Sequence, residues 1–374
     1  MSVLSVLRKG MDRLVGGRGD QSITVPVMDG ALKPNDRLER AASVALIDDA
    51  DNLVAAAGHR FCTSGNQLLS LDADSSSTAV LQTETPISCL AASRSGALAI
   101  GLDGGGIRIR GGRHDGAVFG EISCPTDAVF LDEDRLAVAN GSACFKASEW
   151  RHDLLHRGST GSVVIIDLTK RSTQTIADRL AWPSGLCLDR AAKDALLVSE
   201  AWRHRIVRLD MAGSVTEVLG NLPAYPGRLA PCSGEGYWLA CFSVRSQLQE
   251  FVLREERYRR HMIAEVPPDF WIAPSLSSGK SFKEPLQAGG VIRLGVHKPW
   301  APTRSYGLVI RLDAQCQPAW SLHSRASGVR HGVTSLAEAD GRLLVASKGR
   351  GEILGIEHLD LAEPDDVLAD GDAA

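Results

Sequence analysis

Six polar residues are placed where they could do chemistry, each at or near the opening of a short apolar strand: Thr126, Asp127, Ser184, Arg228, His331 and Thr334. Asp127 can act as a general base, as a metal ligand or as the ion-pair partner of Arg228. The structural alternative is an aspartate that caps a strand. Arg228 suits an anionic substrate group because its guanidinium is permanently charged; the alternative is an ion pair inside the protein.

The other residues of this set offer hydrogen bonds and proton transfer. Ser184 can donate a hydrogen bond, but no GxSxG pattern surrounds it, so a nucleophilic role is not indicated. His331 belongs to the residue type that titrates near neutral pH; it either accepts a proton or satisfies a loop backbone. Contacts with a substrate are predicted for Arg228, Ser184, Thr126, Thr334 and Trp182.

A repeat positions these residues. Six segments share a polar opening, an apolar strand, a turn with Asp or Gly, and a second apolar strand. Aligned on the second strand, their equivalent residues are Leu53, Leu98, Leu136, Leu196, Trp238 and Leu343. Several copies continue into a third alternating strand. A unit of about 40 residues with three or four strands is typical of a propeller blade. The sequence therefore predicts an all-β fold, a six-bladed β-propeller.

Two insertions interrupt the repeat. The blade-three insertion is SACFKASEWRHDLLHRGST, and the blade-five insertion covers residues 250–306. Excursions of this length are usually functional, and both are predicted to lie over one mouth of the central channel. Trp271 and Trp300, in the blade-five insertion, are predicted to join Trp182 in the wall of a pocket there.

Composition excludes several classes of protein. The 374 residues include 41 basic and 45 acidic side chains, a net charge of −4, so no positive field favours nucleic acid. No apolar run is long enough for a transmembrane helix. The eight cysteines form no CxxC pair, which favours buried free thiols. Because charges interrupt any secretory signal at the N-terminus, we expect a cytoplasmic protein.

The two ends of the chain differ from the repeat. Leu4, Leu7, Met11 and Leu14 have helical spacing, which predicts a short N-terminal helix. That helix either packs on the domain or contacts a membrane surface or a partner. Residues 360–374 carry acids and no base, as in a flexible tail. The predicted organisation is a helical or extended segment over 1–27, the propeller over 28–359 and the acidic tail over 360–374.

Several segments carry a family resemblance. CPTDAVFLDEDRLAVANGS, GSVVIIDLTKRSTQTIADRLAWPSGLCLD and SEAWRHRIVRLD resemble the strictosidine synthase-like family. NLPAYPGRLAPCSGEGYWLA and GVTSLAEADGRLLVASKGRGEILGI are similar to its fifth and last blades. The resemblance runs from about Met28 to Leu359. It implies kinship with gluconolactonase, regucalcin and paraoxonase-like propellers, a ligand pocket at one channel mouth, a calcium-like divalent ion in many relatives, and lactone or ester hydrolysis.

The blade openings depart from the family pattern. Residues that supply metal-binding oxygens in relatives correspond here to Thr126-Asp127, Ser184-Gly185 and Gly227-Arg228. The glutamate expected at the first opening is lost within Ala41-Ala42-Ser43, with Glu39 two residues earlier. At most one divalent cation is therefore expected, with Asp127 and Glu39 as its remaining ligands.

Two functional hypotheses follow. The first is hydrolysis of a lactone or ester of a small polar or anionic, sugar-like metabolite, with Asp127 or His331 assisting the attacking water and Arg228 and Ser184 orienting the substrate. The rival is a non-hydrolytic propeller that binds a small molecule or a partner protein. Pictet–Spengler synthesis is not expected, because the glutamate that the alkaloid enzymes use corresponds to Thr334.

Overall fold

The computed structural model describes residues 25–72, 76–281, 283–285, 292–293, 296–297 and 304–357. Within these ranges the chain forms six four-stranded antiparallel sheets, the blades of a propeller. This confirms the predicted fold class. The predicted helix around Leu4 to Leu14, Trp300 and the acidic tail lie outside the described residues.

The first half of the chain supplies β1 and three blades. In chain order, the strands are β1 (Ala42–Leu46); blade one, β2 (Ala50–Ala56), β3 (His59–Ser64), β4 (Gln67–Leu71) and β5 (Ser77–Gln82); blade two, β6 (Ile87–Ala92), β7 (Leu98–Leu102), β8 (Ile107–Arg110) and β9 (Val118–Phe119); and blade three, β10 (Pro125–Phe130), β11 (Arg135–Asn140), β12 (Gly161–Asp167) and β13 (Ser172–Leu180).

The second half supplies the other three blades. Blade four has β14 (Pro183–Leu188), β15 (Ala195–Glu200), β16 (Arg205–Asp210) and β17 (Val215–Leu219); blade five has β18 (Ala224–Pro231), β19 (Tyr237–Val244), β22 (Gly307–Leu312) and β23 (Pro318–Ser324); and blade six has β24 (Val333–Ala339), β25 (Arg342–Ser347) and β26 (Glu352–Glu357). A separate hairpin, β20 (Ile292–Arg293) and β21 (Val296–His297), lies in the chain between β19 and β22.

Strand β1 closes the ring. It pairs antiparallel with β26 and so becomes the outer strand of blade six, with Ala42 opposite Gly355 and Leu46 opposite Glu352. The predicted alignment of the first repeat is therefore wrong. Leu53 lies in β2, the first strand of blade one, whereas the other five aligned residues lie in second strands. Pairing of the two ends of the ring leaves no open sheet edge between blades six and one.

A β-bulge occurs in the first strand of every blade. The register shifts between Asp51 and Val54, Ile87 and Cys89, Pro125 and Asp127, Pro183 and Gly185, Pro226 and Leu229, and Val333 and Ser335. A bulge leaves one residue out of the hydrogen-bond ladder and redirects its side chain and carbonyl. Proline, which cannot donate to the ladder, precedes the bulged residue in blades three, four and five. The six bulges place polar groups around the channel.

The second strands are the most deeply buried elements. All residues of β7, β15 and β19 are buried, because neighbouring blades cover both faces of each sheet. Such strands need no alternation of apolar and polar residues, which explains runs such as ALLV in β15. Between blades two and three, for example, Ala99, Ile107, Leu136 and Ile166 share one apolar cluster. All eight cysteines are free, and all but Cys144 are buried, as predicted.

The insertions form a cap. The helices in chain order are α1 (Arg37–Arg40), before the propeller; α2 (Trp150–His156), in the blade-three insertion; and α3 (Gln247–Arg254) and α4 (Glu256–Glu265), in the blade-five insertion. Leu155 of α2 packs with Val252, Met262 and Trp271. The two insertions therefore cover the same channel mouth, as predicted, and together we call them the cap. Among the described helices, none has the length and apolar character needed to span a bilayer.

Candidate functional site

A cavity of about 360 Å³ lies at the capped mouth of the channel. Its apolar wall includes Ile87, Trp150, Trp182, Phe242 and Leu276. Its polar floor comes largely from the bulged strands: Asp51, Ser88, Thr126, Ser184, Arg228, Thr334 and, from the turn after β25, Lys348. A cavity of this size suits a small molecule, with one apolar and one polar side.

Arg228 occupies the centre of the floor. Its two terminal nitrogens donate to Asp51 Oδ1 at 2.8 Å, and to the carbonyl oxygens of Thr334 at 3.2 Å, Ser88 at 2.8 Å and Thr126 at 3.1 Å. Its Nε lies 3.5 Å from Asp127 Oδ1. The four terminal N–H groups of the guanidinium are thus matched by four acceptors. Arg228 binds the protein itself, and the ion-pair alternative describes it better than an anchor for substrate.

A close approach of two blades explains the Ser184-Gly185 dipeptide. A Cβ added to Gly185 would lie 2.3 Å from the Gly227 carbonyl oxygen and 2.8 Å from the Arg228 Cα. Both atoms belong to the backbone and cannot move aside easily. Glycine is therefore required where blade four meets the strand that carries Arg228.

The two carboxyl groups beside Arg228 differ in pKa. Burial alone favours the neutral form of each, but the charges of Arg228 and Lys348 hold the pKa of Asp51 well below its usual range. At Asp127 burial dominates over Arg228 and the Leu186 N–H, and raises the pKa to about 6. Asp51 is therefore a fixed anion at neutral pH, and Asp127 titrates near neutrality.

This difference predicts a pH dependence of stability. Because folding raises the pKa of Asp127 from 3.8 to about 6, its contribution is fully present below about pH 4 and is lost as the pH rises through about 6. Folding lowers the pKa of Asp51, so its contribution to stability is instead lost as the pH falls, and at a lower pH than that of Asp127. We expect Asp127→Asn to remove a decline of about 2–3 kcal/mol between pH 4 and 6, because the amide keeps an acceptor for the Leu186 N–H.

Urea unfolding of both proteins from about pH 4 to 7 measures this effect. Other carboxyl groups contribute equally to the two proteins, so the difference between their curves isolates Asp127. A difference that does not change with pH would contradict the raised pKa.

Lys348 is the cation that faces the cavity with a donor to spare. Its Nζ lies 3.1 Å from Asp51 Oδ2 and 3.3 Å from Asp49 Oδ1, and its side chain is 25% exposed. Two of its three N–H donors are therefore used by described residues. Lys348 also lines a second cavity of about 460 Å³ under the cap, with Arg151, Arg304 and Glu284. It stands at the junction of the two cavities.

The hydroxyl groups of the floor differ in their hydrogen-bond partners. Thr126 Oγ1 donates to the Pro183 carbonyl at 2.6 Å, and Ser184 Oγ donates to the Pro226 carbonyl at 2.7 Å. Each bond joins one blade to the next and uses the hydroxyl proton. Ser88 Oγ, by contrast, is buried without a hydrogen-bond partner in the described part of the chain. Of these three hydroxyls, it is the one whose proton is not used in a bond to the next blade.

Aromatic packing fixes the apolar wall. Trp182 adopts a left-handed backbone conformation, with φ of 56°, which is costly for a bulky residue. Its indole stacks on Trp202 with ring centres 5.3 Å apart. Asp153 holds α2 in place by accepting from Trp202 Nε1 and Ser142 Oγ, each at 2.7 Å. This network sets the position of Trp150 at the cavity.

The structure brings five of the predicted site residues together at the cavity: Thr126, Trp182, Ser184, Arg228 and Thr334. Asp127 and His331, predicted to be catalytic, are not among the lining residues. Asp127 lies in the channel beside Arg228, and its Oδ2 accepts from the Leu186 N–H at 2.7 Å.

His331 forms an internal contact between loops. Its Nε2 donates to the Arg325 carbonyl at 2.9 Å, and its Nδ1 is 2.7 Å from Ser305 Oγ. Burial lowers its pKa. Both ring nitrogens are engaged, so the loop-backbone alternative describes this histidine. The structure gives no support to His331 as the acceptor of a substrate proton.

Glu39 and Asp127, the predicted metal ligands, are not brought together. Glu39 accepts from Ser324 Oγ at 2.5 Å and from the Val329 N–H, whereas Asp127 lies beside Arg228. In the ranges that the structure describes, no group of three His, Cys, Asp or Glu side chains could hold a metal ion. A fixed guanidinium also fills the point where the floor oxygens converge. These residues do not fit a divalent cation.

The cavity residues that sequence reasoning missed include Asp51, Ser88, Trp150 and Lys348. Asp51 stands at the opening of blade one, the place that the misaligned first repeat assigned to Ala41-Ala42-Ser43. Counting back from β3 and β4 would have found it. Ser88 shares the bulge position with Thr126 and Ser184, and this equivalence was the available signal. Lys348 and Trp150 lie outside the first strands, so no pattern in the sequence indicated them.

Comparisons with known proteins support the family resemblance. A family model described as strictosidine synthase matches residues 128–214, most of blades three and four. The mouse adipocyte plasma membrane-associated protein is 29% identical over 122 residues, which cover 32% of this chain and 29% of that protein. Protein strictosidine synthase-like 13 of Arabidopsis thaliana is 28% identical over 138 residues, which cover 34% of each chain. The alignments thus span about a third or less of these relatives.

A solved structure supports the fold over a longer range. A putative gluconolactonase superposes with a TM-score of 0.51 at 12% identity, over 85% of this chain and 91% of that chain. At this identity the likeness concerns the fold alone. The chain is thus a six-bladed propeller whose third and fourth blades match the strictosidine synthase family model, and its fold is similar to that of a putative gluconolactonase.

Proposed function

We propose that the capped channel mouth binds a small molecule that has an apolar face or ring and an anionic or carbonyl group. The observation that supports it most is the position of Lys348, a cation with an N–H donor to spare at the junction of two cavities. The ring lies against Trp150 and Trp182. The polar group meets Lys348 and the Ser88 hydroxyl, which has no other partner.

Hydrolysis of a lactone or ester is the second candidate. The structural neighbour is titled a putative gluconolactonase, and a lactone carbonyl would suit the Ser88 and Lys348 donors. Water attack also needs a proton acceptor that faces the cavity. Asp49, Asp51 and Asp103 line the cavity, but the lowered pKa of Asp51 makes it a weak base. Asp49 pairs with Lys348, Asp103 accepts two hydrogen bonds from Ser148, and Asp127 lies behind Arg228. Binding is therefore the function that the geometry favours.

A binding screen tests the proposal. Lactones, esters and ring-containing carboxylates are titrated while tryptophan fluorescence and the Tm are followed. We expect Lys348→Met to weaken binding of the best anionic or carbonyl ligand at least tenfold, because a charge-assisted hydrogen bond is worth about 1.5–3 kcal/mol. Lys170→Met is the matched control, since Lys170 forms an exposed pair with Asp167 on blade three.

Two results separate the candidates. Binding that Lys348→Met leaves unchanged would place the ligand outside this cavity and contradict the proposal. Turnover of a lactone or ester by the wild type that Asp51→Asn abolishes, and that Lys170→Met does not affect, would establish hydrolysis in place of simple binding.

A further inference from the structure

The oxygen atoms around Arg228 form a ring drawn from four blades. Blade one contributes the Asp51 carboxylate, and blades two, three and six contribute the carbonyls of Ser88, Thr126 and Thr334. Blade five carries the guanidinium itself. The three carbonyls belong to bulged residues, which point them into the channel instead of along a sheet.

This oxygen set has the chemistry of a hard-cation site. Carboxylate and carbonyl oxygens are the ligands that calcium takes in proteins, and here three carbonyls converge with Asp51 and, on the other side of the guanidinium, Asp127. Converging carbonyl dipoles and two carboxylates create a negative potential that requires a positive charge. Arg228 supplies that charge from within the chain.

We propose that the Arg228 guanidinium takes the place of a bound divalent cation on the propeller axis, and that a variant without it gains a calcium site built from the surrounding oxygens. The ligands would be the Asp51 and Asp127 carboxylates and the carbonyls of Ser88, Thr126 and Thr334. This inference concerns the channel and does not depend on which molecule occupies the cavity.

Two observations favour this role over that of an ordinary ion pair. Every terminal N–H group of Arg228 has an acceptor, and three of the four acceptors are carbonyls from different blades, which an ion pair does not require. The side chain is only 14% exposed, so no water shell could replace these bonds. The guanidinium therefore connects blades one, two, three and six to blade five.

Arg228→Asn is the variant that tests the proposal. The shorter side chain vacates the centre of the ring and offers one more amide oxygen. We expect the variant to bind one calcium per chain in calorimetry, at least tenfold more tightly than the wild type. Its Tm should rise by roughly 5 °C between excess EDTA and saturating calcium. The wild type should show no such rise.

Two further variants serve as controls. Arg228→Asn combined with Asp51→Asn should lose the calcium response, because one of the two carboxylates is gone. Arg228→Lys keeps a positive charge but has three donors where the ring offers five acceptors. It should therefore be less stable than the wild type and equally indifferent to calcium.

The outcomes are distinct. A folded Arg228→Asn protein without calcium binding would overturn the proposal, as would one calcium per wild-type chain that Asp51→Asn removes. If Arg228→Asn folds only with calcium, the proposal is supported directly. If Arg228→Asn folds neither with nor without calcium, the Arg228→Lys variant is the test. A lysine variant as stable as the wild type would contradict the proposal, because the acceptors would then not require a guanidinium.

Discussion

Arg228→Met should lower the free energy of unfolding by about 3–5 kcal/mol. The methionine fills much of the same volume but leaves Asp51 and Asp127 without their shared cation, and the carbonyls of Ser88 and Thr126 without donors. A buried carboxylate that loses its partner is costly because water cannot reach it. Urea unfolding at neutral pH measures the change.

The matched control is Arg135→Met. Arg135 also pairs with an aspartate, Asp132, but its side chain is 50% exposed, so the loss should be at most about 1 kcal/mol. Adding Asp127→Asn to Arg228→Met should recover part of the lost stability, because it removes a buried carboxyl group that has lost its cation. Equal losses for the two arginine variants would contradict a special role for the axial position.

Removal of β1 should prevent a stable closed ring. A chain that begins at Ile47 leaves Ile353, Leu354 and Gly355 of β26 on an open edge, because these residues pair with β1. Unpaired edges destabilise a sheet and promote association. We expect a Tm lower by roughly 10 °C or more, with dimers or aggregates in size-exclusion chromatography.

A chain that begins at Ala42 is the control for this deletion. It keeps β1 but lacks α1. In the full chain, Arg330 donates hydrogen bonds to the Leu38 and Glu39 carbonyls of α1. Both deletions remove the buried Leu38, so a further loss of stability or a change of oligomeric state in the chain that begins at Ile47 is due to β1. If the two shortened chains have the same stability and oligomeric state, closure by β1 is not important to the fold.

Much of the fold could be predicted, because local patterns identify blades. The second strands of blades two to six align correctly at Leu98, Leu136, Leu196, Trp238 and Leu343. The first blade failed because β1 and β2 together look like one more strand pair, and no local pattern reveals that β1 pairs with a strand more than 300 residues away. Closure is a property of the whole ring.

The candidate site could be predicted only in part, for a related reason. Residues at blade openings were found in most of the blades where the repeat was in register, as with Thr126, Ser184 and Thr334, whereas Ser88 was missed although blade two was also in register. The partners of Arg228 depend on how several blades converge, which a linear sequence does not display. The catalytic interpretation of His331 had no geometric support because its two nitrogens face Ser305 and the Arg325 backbone.

The shared bulge separates the side chains that face the channel from the buried second strands of the blades. A bulged residue is outside the ladder of its strand, so its side chain can change while the buried second strands stay the same. Bulged residues of blades two to six then supply most of the floor. A lineage with this architecture can exchange an ion for a guanidinium, or one ligand for another, through a few substitutions that leave the core untouched, and likeness of fold among such proteins says little about what each one binds.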